Sequence, residues 1–263
     1  MNDRRQNERK QIRKKKLAKR RKRIKLFTYM GIIGIFSFCS FMTGKAVGVK
    51  ECRNDSFVPD TELQDSAVEE MVDDNETKLL LVNKKNPLPE DYEVTLLTLP
   101  DGVNRAAEIA YEPLCDMLDA GQKEGLNFEI CSSYRDAAYQ RNLFEEDVEM
   151  LMQAGYSYTE AYEEVAKETM PPGCSEHSTG LAFDIVAKDY QMLDAGQEKT
   201  EENKWLQEHC AEYGFILRYP EGKSEITAIN YESWHFRYVG KEAAKYIMEN
   251  GITLEEYVEQ YSW

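Results

Sequence analysis

The sequence predicts an α+β fold, an antiparallel sheet with flanking helices, preceded by one transmembrane helix. Three observations carry this reading. Helical and strand-like segments follow one another without regular alternation, which argues against a parallel βαβ sheet. The strand-like runs are short, apolar and scattered along the C-terminal two thirds of the chain. Residues 26–44 hold nineteen consecutive uncharged positions, close to the roughly 20 apolar residues that a helix needs to cross a bilayer.

The N-terminal elements come first. Residues 1–25 carry fourteen Lys or Arg against Asp3 and Glu8, although the whole chain has a formal net charge of −15. Basic residues beside an apolar span resist translocation and set its orientation. The tail 1–25 is therefore expected in the cytoplasm, the span 26–44 as an anchor in the cell membrane, and the acidic remainder outside the cell. No Ala-x-Ala site follows the span, so an uncleaved anchor is expected rather than a signal peptide. A basic run can also mark nucleic-acid binding, but anionic lipid accounts for one that abuts a membrane, and no nucleic-acid partner is expected. Residues 45–78, rich in Asp, Glu, Asn and Ser, read as a stalk or linker too polar to bury a core.

The folded domain is placed at 79–263. An apolar run at 79–82 leads into prolines at 87 and 89. Ala106, Ala107, Ile109, Ala110, Leu114 and Leu118 fall at helical spacing, which predicts a helix over 103–118 ended by Gly121 and Gly125. Alternation from Phe128 to Ser132 predicts a strand. Helices are expected over 137–154 and 158–169, the second stopped by Pro171 and Pro172. The segment 181–186 reads as a buried strand, 201–213 as an amphipathic helix closed by Gly214, and 215–218 and 234–239 as further strands. Two helices, 241–250 and 254–261, finish the chain. The segment 141–171 is expected to cover the pocket. Of the six cysteines, Cys39 lies in the span and the other five permit a disulfide outside the cell, with no pairing fixed.

The chemistry gathers around two of only three histidines. His177 follows a small polar stretch, and seven residues later Asp184 stands inside an apolar run, where a lone carboxylate is costly unless paired or bound to a metal. His235 lies in a second, aromatic run. Two imidazoles and a carboxylate are ligands that zinc takes, and three protein ligands leave a fourth position open, as a catalytic site requires. Glu232, three residues before His235, has the carboxylate that metal-assisted hydrolysis needs as proton acceptor and donor. Positions three apart face opposite ways on a regular strand, so this role requires a turn or bulge at Glu232. Cys174, three residues before His177 in a Cys-x2-His spacing, could add a thiolate, but a fourth protein ligand would close the site. His209 is read as structural, and Trp234 as either pocket lining or core.

The strings SSYRD (132–136), SEHSTGLAFDI (175–185), the W-x7-YGF pattern from Trp205 to Phe215 and YESWHFRYVG (231–240) occur in this order. Together they resemble the zinc D-alanyl-D-alanine carboxypeptidases of the vancomycin-resistance (VanY-like) type, relatives of D-Ala-D-Ala dipeptidases and L,D-carboxypeptidases. The resemblance spans roughly residues 79–250. It implies a hedgehog/DD-peptidase-like sheet, Zn2+ held by His177, Asp184 and His235, Glu232 as general base, and Arg135 as the group that polarises the scissile carbonyl or stabilises the oxyanion. A guanidinium fixed in a dry site independently suits developing negative charge. Gln140 and Ser175 fall on positions that contact the terminal residue of the substrate in relatives. The implied activity is removal of the C-terminal D-alanine from peptidoglycan stem peptides. An L,D-carboxypeptidase acting on tetrapeptide stems, a peptidoglycan endopeptidase and a non-catalytic wall-binding sensor are the alternatives.

Overall fold

The protein is described here by a computed structural model covering residues 77–261. The tail 1–25, the span 26–44, nearly all of the stalk 45–78 and Cys52 lie outside the described residues. Among the described residues, no helix is long and apolar enough to cross a membrane.

A four-stranded antiparallel sheet organises the domain. It is built from β3 (Phe128–Ser132), β4 (Ala182–Ala187), β5 (Phe215–Tyr219) and β6 (Glu232–Tyr238), in the order β3-β4-β6-β5. Strand β4 is buried throughout, yet its apolar run still obeys the two-residue alternation of a strand. Phe183 and Ile185 join Phe215, Leu217, Phe236 and Tyr238 in the main core, together with Leu114, Met117, Trp205 and Leu206 of two helices. Those helices are α1 (Glu108–Lys123) and α4 (Glu201–His209). Alternation therefore turns Asp184 to the opposite face. On β5, Ile216 faces a second core with Ala244 and Ile247 of α6 (Lys241–Asn250) and Leu254 of α7 (Leu254–Tyr261). Helices α2 (Ala137–Gln153) and α3 (Tyr158–Val165) pack on each other around Phe144, Val148, Ala161 and Val165, a third and separate cluster. The single turn α5 (Ser224–Thr227) precedes β6.

Local chemistry sets the element ends. Asp136 caps α2 by accepting a hydrogen bond from Tyr139 N at 2.7 Å, and Ser157 with Glu160 forms a capping box at α3, which satisfies N–H groups that a helix leaves open. The expected helix over 103–118 is corrected at its start. Arg105–Ala107 form a strand, β2, paired with β1 (Leu96–Thr98), and the helix begins at Glu108. Asp101 Oδ1 accepts from Val103 N and Asn104 N, a local turn that brings the two short strands together. The helix also runs past Gly121 to Lys123, and the ring of Phe128 fills the space that a side chain at Gly121 would need. Helix α3 ends at Val165 rather than at 169, and α4 gives way to a 3-10 turn at Cys210–Tyr213. Cys115, Cys131, Cys174 and Cys210 are free thiols.

Two arginines sit in strands that otherwise look like core. Arg218 and Arg237 are both fully buried. Arg218 donates through Nε to Glu176 Oε1 at 2.8 Å and through both terminal nitrogens to Glu255, at 2.8 and 2.7 Å. Arg237 contacts Glu176 Oε1 at 3.1 Å and donates to the carbonyls of Lys78 and Leu80. Burial pushes the Glu176 carboxyl up, but Arg218 and Arg237 outweigh it and hold the group well below the ordinary carboxylate range. Removing one member of such a cluster strands the others in low dielectric. Arg218→Met should therefore lower the unfolding free energy by about 3–5 kcal/mol, measured by urea titration. A loss below about 1 kcal/mol, the value of a surface pair, would mean that water compensates the carboxylates.

Candidate metal centre

Asp184 is the centre of the site. Its cross-strand partner in the β4–β6 register is His235, and its partner on β3 is Ser132. Asp184 Oδ1 lies 3.0 Å from His235 Nδ1, and Oδ2 lies 3.4 Å from His177 Nε2 and 3.1 Å from an Arg135 terminal nitrogen. The carboxylate is 3% exposed, so these neighbours replace the water that it has lost. Burial raises its pKa, but His177 and His235 outweigh burial and hold it far below the carboxylate range.

His177 arrives from a 3-10 turn, Glu176–Thr179, just before β4. Gly180 ends the turn at φ +73°, where a Cβ would meet the backbone nitrogen of Ala107 at 2.8 Å. The left-handed geometry and the close approach both call for glycine. Ala107 N donates to Gly180 O at 2.9 Å, so the small β1–β2 sheet braces the turn from behind. Arg135 N donates to His177 O, and Ser178 Oγ donates to Arg135 O, which ties this turn to the loop after β3. His177 Nδ1 bonds the carbonyl of Ser133 at 2.8 Å; as the donor it leaves the Nε2 lone pair facing Asp184. Burial, followed by Arg135, lowers the His177 pKa to about 4, with Asp184 opposing the fall. The His177 and His235 rings meet edge to face, with centroids 4.9 Å apart.

Among the described residues, His177, Asp184 and His235 form the one group able to hold a metal, with ligand atoms all within 4.8 Å of one another. Bonds of roughly 2.0 Å to a tetrahedral zinc place ligand atoms roughly 3.3 Å apart, and the 3.0 and 3.4 Å approaches bracket that spacing. The donor set and its geometry fit zinc.

Glu232 is the first residue of β6, within the strand rather than before it. The expected irregularity is nonetheless present. Leu217 faces Phe236 while Tyr219 faces Glu232, so two residues of β5 span four of β6. This bulge brings Glu232 Oε2 to 3.8 Å from His235 Nδ1, despite the three-residue separation. Burial raises the Glu232 pKa to about 8, with His235 opposing the rise and Asp184 adding to it. Burial lowers the His235 pKa, but Asp184, Glu176 and Glu232 outweigh it and raise it to about 9. A second shift, between Ile130 and Ser132 of β3, sets Ser132 opposite Asp184. Ser132 Oγ there accepts from Arg135 Nε at 2.8 Å and aims the guanidinium at the centre. Gln140 is fully buried, donates to Met170 O at 2.7 Å and lies 3.4 Å from Arg135 through Oε1. Its contacts orient Arg135. Ser175 immediately precedes the 3-10 turn, is 3% exposed and makes no capping bond. The segment 141–171 forms the α2–α3 hairpin, and Asn230 N donates to Lys167 O at 2.9 Å, linking its end to the approach to Glu232.

Sequence reasoning missed Glu176, Arg218, Arg237 and Glu255, which form a buried ionic cluster behind His235. The signal was present as one arginine inside each of two apolar strands. It also missed Tyr219, whose ring packs 4.8 Å from that of His235.

The model of the VanY family, D-alanyl-D-alanine carboxypeptidase, matches residues 104–241. A D-alanyl-D-alanine carboxypeptidase of Enterococcus faecalis (strain ATCC 700802 / V583) is 36% identical over 217 residues, covering 82% of this chain and 76% of the relative. A solved VanY D,D-pentapeptidase variant from a VanB-type resistance cassette, in complex with Zn(II), superposes with a TM-score of 0.63 at 38% identity, over 70% of this chain and 99% of that one. The LdcB LD-carboxypeptidase gives 0.61 at 36% identity, over 70% and 87%.

The Glu232 environment gives a stability test on metal-stripped protein. A carboxyl with a folded pKa near 8 and an unfolded value of roughly 4.3 binds more protons folded than unfolded between those values. Its stabilising contribution is therefore complete below the unfolded value and lost as pH rises towards 8. Glu232→Gln should gain stability relative to the parent between pH 5 and pH 8.5, read from urea midpoints. An unchanged difference would mean that Glu232 is ionised throughout.

Proposed function

The chain belongs to the VanY family of D-alanyl-D-alanine carboxypeptidases, and from that premise we propose that it is a zinc-dependent carboxypeptidase removing the C-terminal D-alanine from peptidoglycan stem peptides. The observation that carries this reading is the convergence of His177, Asp184 and His235, with Glu232 Oε2 3.8 Å from His235 Nδ1.

His177 Nε2, a carboxylate oxygen of Asp184 and His235 Nδ1 would hold the ion. Zinc, when bound, supplies a Lewis acid that activates water and polarises a carbonyl. Glu232 accepts the proton of the attacking water and delivers it to the departing amine, as a general base and then a general acid. Its buried setting, which favours taking up a proton, suits that cycle. Arg135 faces the same space and offers its guanidinium to the oxyanion. Ser132, Gln140 and Asp184 hold that guanidinium in place. Ser175 lies beside the ligand turn, where it can contact the terminal residue of the substrate.

The uncharged run 26–44 and the basic tail 1–25 support a single-pass anchor in the cell membrane, with the catalytic domain outside, where stem peptides lie. Fractionation should place the full chain with membranes, and deletion of residues 1–44 should release it; a soluble full-length chain would end the anchor reading.

Removal of the terminal residue from tetrapeptide stems is the second reading, favoured by the similarity to LdcB at nearly the same identity and TM-score. Mass spectrometry of digested penta- and tetrapeptide stems separates the two. Release of D-alanine from pentapeptide is expected, and release from neither stem would leave the sensor or endopeptidase reading. Glu232→Ala should keep its zinc and lose about 10²–10⁴-fold in turnover. Arg135→Ala should lose about 10²–10³-fold with zinc retained. Full activity in either variant would remove that residue from the mechanism.

A further inference from the structure

The two imidazoles of the centre present different nitrogens to Asp184. His177 turns Nε2 inward, because its Nδ1 is bonded to the carbonyl of Ser133. His235 turns Nδ1 inward, 3.0 Å from Asp184 Oδ1, and so needs an anchor for Nε2 on its far side. A ligating imidazole generally donates its second N–H to a carboxylate or carbonyl, which fixes the tautomer and the ring orientation.

Glu176 stands where that anchor is needed. It neighbours His177 in the chain, but its side chain passes behind His235. Both arginine contacts of Glu176 fall on Oε1, from Arg218 at 2.8 Å and Arg237 at 3.1 Å. Oε2 has no hydrogen-bond partner and lies 3.8 Å from His235 Nε2, which also has none. Two buried, unpartnered polar atoms facing each other are costly unless they meet. The surroundings fix both partners. Arg218 is itself gripped by Glu255, Arg237 by the carbonyls of Lys78 and Leu80, and the Tyr219 ring lies against His235.

We propose that Glu176 is a positioning residue for the metal centre, its Oε2 accepting the Nε2 proton of His235 so that Nδ1 is presented to the ion. The arginines behind it hold the carboxylate in place. The proposal rests on the zinc reading above and adds a named residue that acts through His235 without touching substrate.

The test compares zinc dissociation constants of the parent chain, Glu176→Gln and Glu255→Gln, by competition with a chelator. In Glu176→Gln the two arginines retain the amide oxygen, which leaves an NH2 group facing Nε2. Zinc affinity should fall about 10–100-fold. Glu255→Gln disturbs the same ionic cluster without reaching the imidazole, so its affinity should stay within about threefold of the parent, the limit set against that 10–100-fold loss, even as stability drops. In parallel, long-range 1H–15N spectra of the zinc-loaded parent should show the His235 proton on Nε2 and the metal on Nδ1. That measurement decides the matter alone if Glu176→Gln fails to fold. Parent-like affinity in Glu176→Gln, an equal loss in Glu255→Gln, or metal on Nε2 of His235 would each overturn the proposal. A parent chain that binds no zinc would overturn the metal reading itself, which separates the two failures.

Discussion

A carboxylate without water governs the architecture of this domain. Asp184 lies in the middle of a strand that is buried from end to end, where an isolated charge costs several kcal/mol. Its two oxygens are met by His235, His177 and Arg135, and each comes from a different part of the chain. To deliver them, β6 must pair with β4 in one register, the turn before β4 must curl back, and the loop after β3 must fold over both. The fold and the site are in this sense one solution to one electrostatic problem.

The sheet achieves this by departing from regularity in two places. On β3, a shift between Ile130 and Ser132 sets Ser132 beside Asp184, where it steers Arg135. On β6, the bulge across from Leu217 and Tyr219 brings Glu232 onto the same side as His235. Bulges commonly re-aim side chains next to active sites. The flat parts of the ladder supply the core, through Phe183 opposite Phe236, and the irregular parts supply the chemistry.

Much of this could be read in the sequence, for identifiable reasons. Asp184 stood out because a carboxylate in an apolar run demands compensation. The four strands of the main sheet were legible from apolar crowding in β4 and β5, alternation in β3 and the aromatic run of β6. The need for a bulge at Glu232 followed from strand periodicity alone. The β1–β2 pair was not legible, because Ala106 and Ala107 also fit helical spacing and only a tertiary contact, Ala107 N to Gly180 O, selects the strand. Glu176 was hidden for a related reason. Its partners Arg218 and Arg237 lie 42 and 61 positions away in the sequence, and no local pattern announces a long-range ionic cluster. The N-terminal anchor rests on composition, in residues outside those described.

The α2–α3 hairpin closes around Phe144, Val148, Ala161 and Val165, a cluster that shares no buried member with the sheet core. Its interior can be repacked, lengthened or reshaped without moving the strands that present Asp184 and His235. The hairpin meets the site at its base, where Gln140 of α2 reaches Arg135. Changes confined to its own apolar cluster can therefore accumulate without disturbing the pairing of β4 with β6.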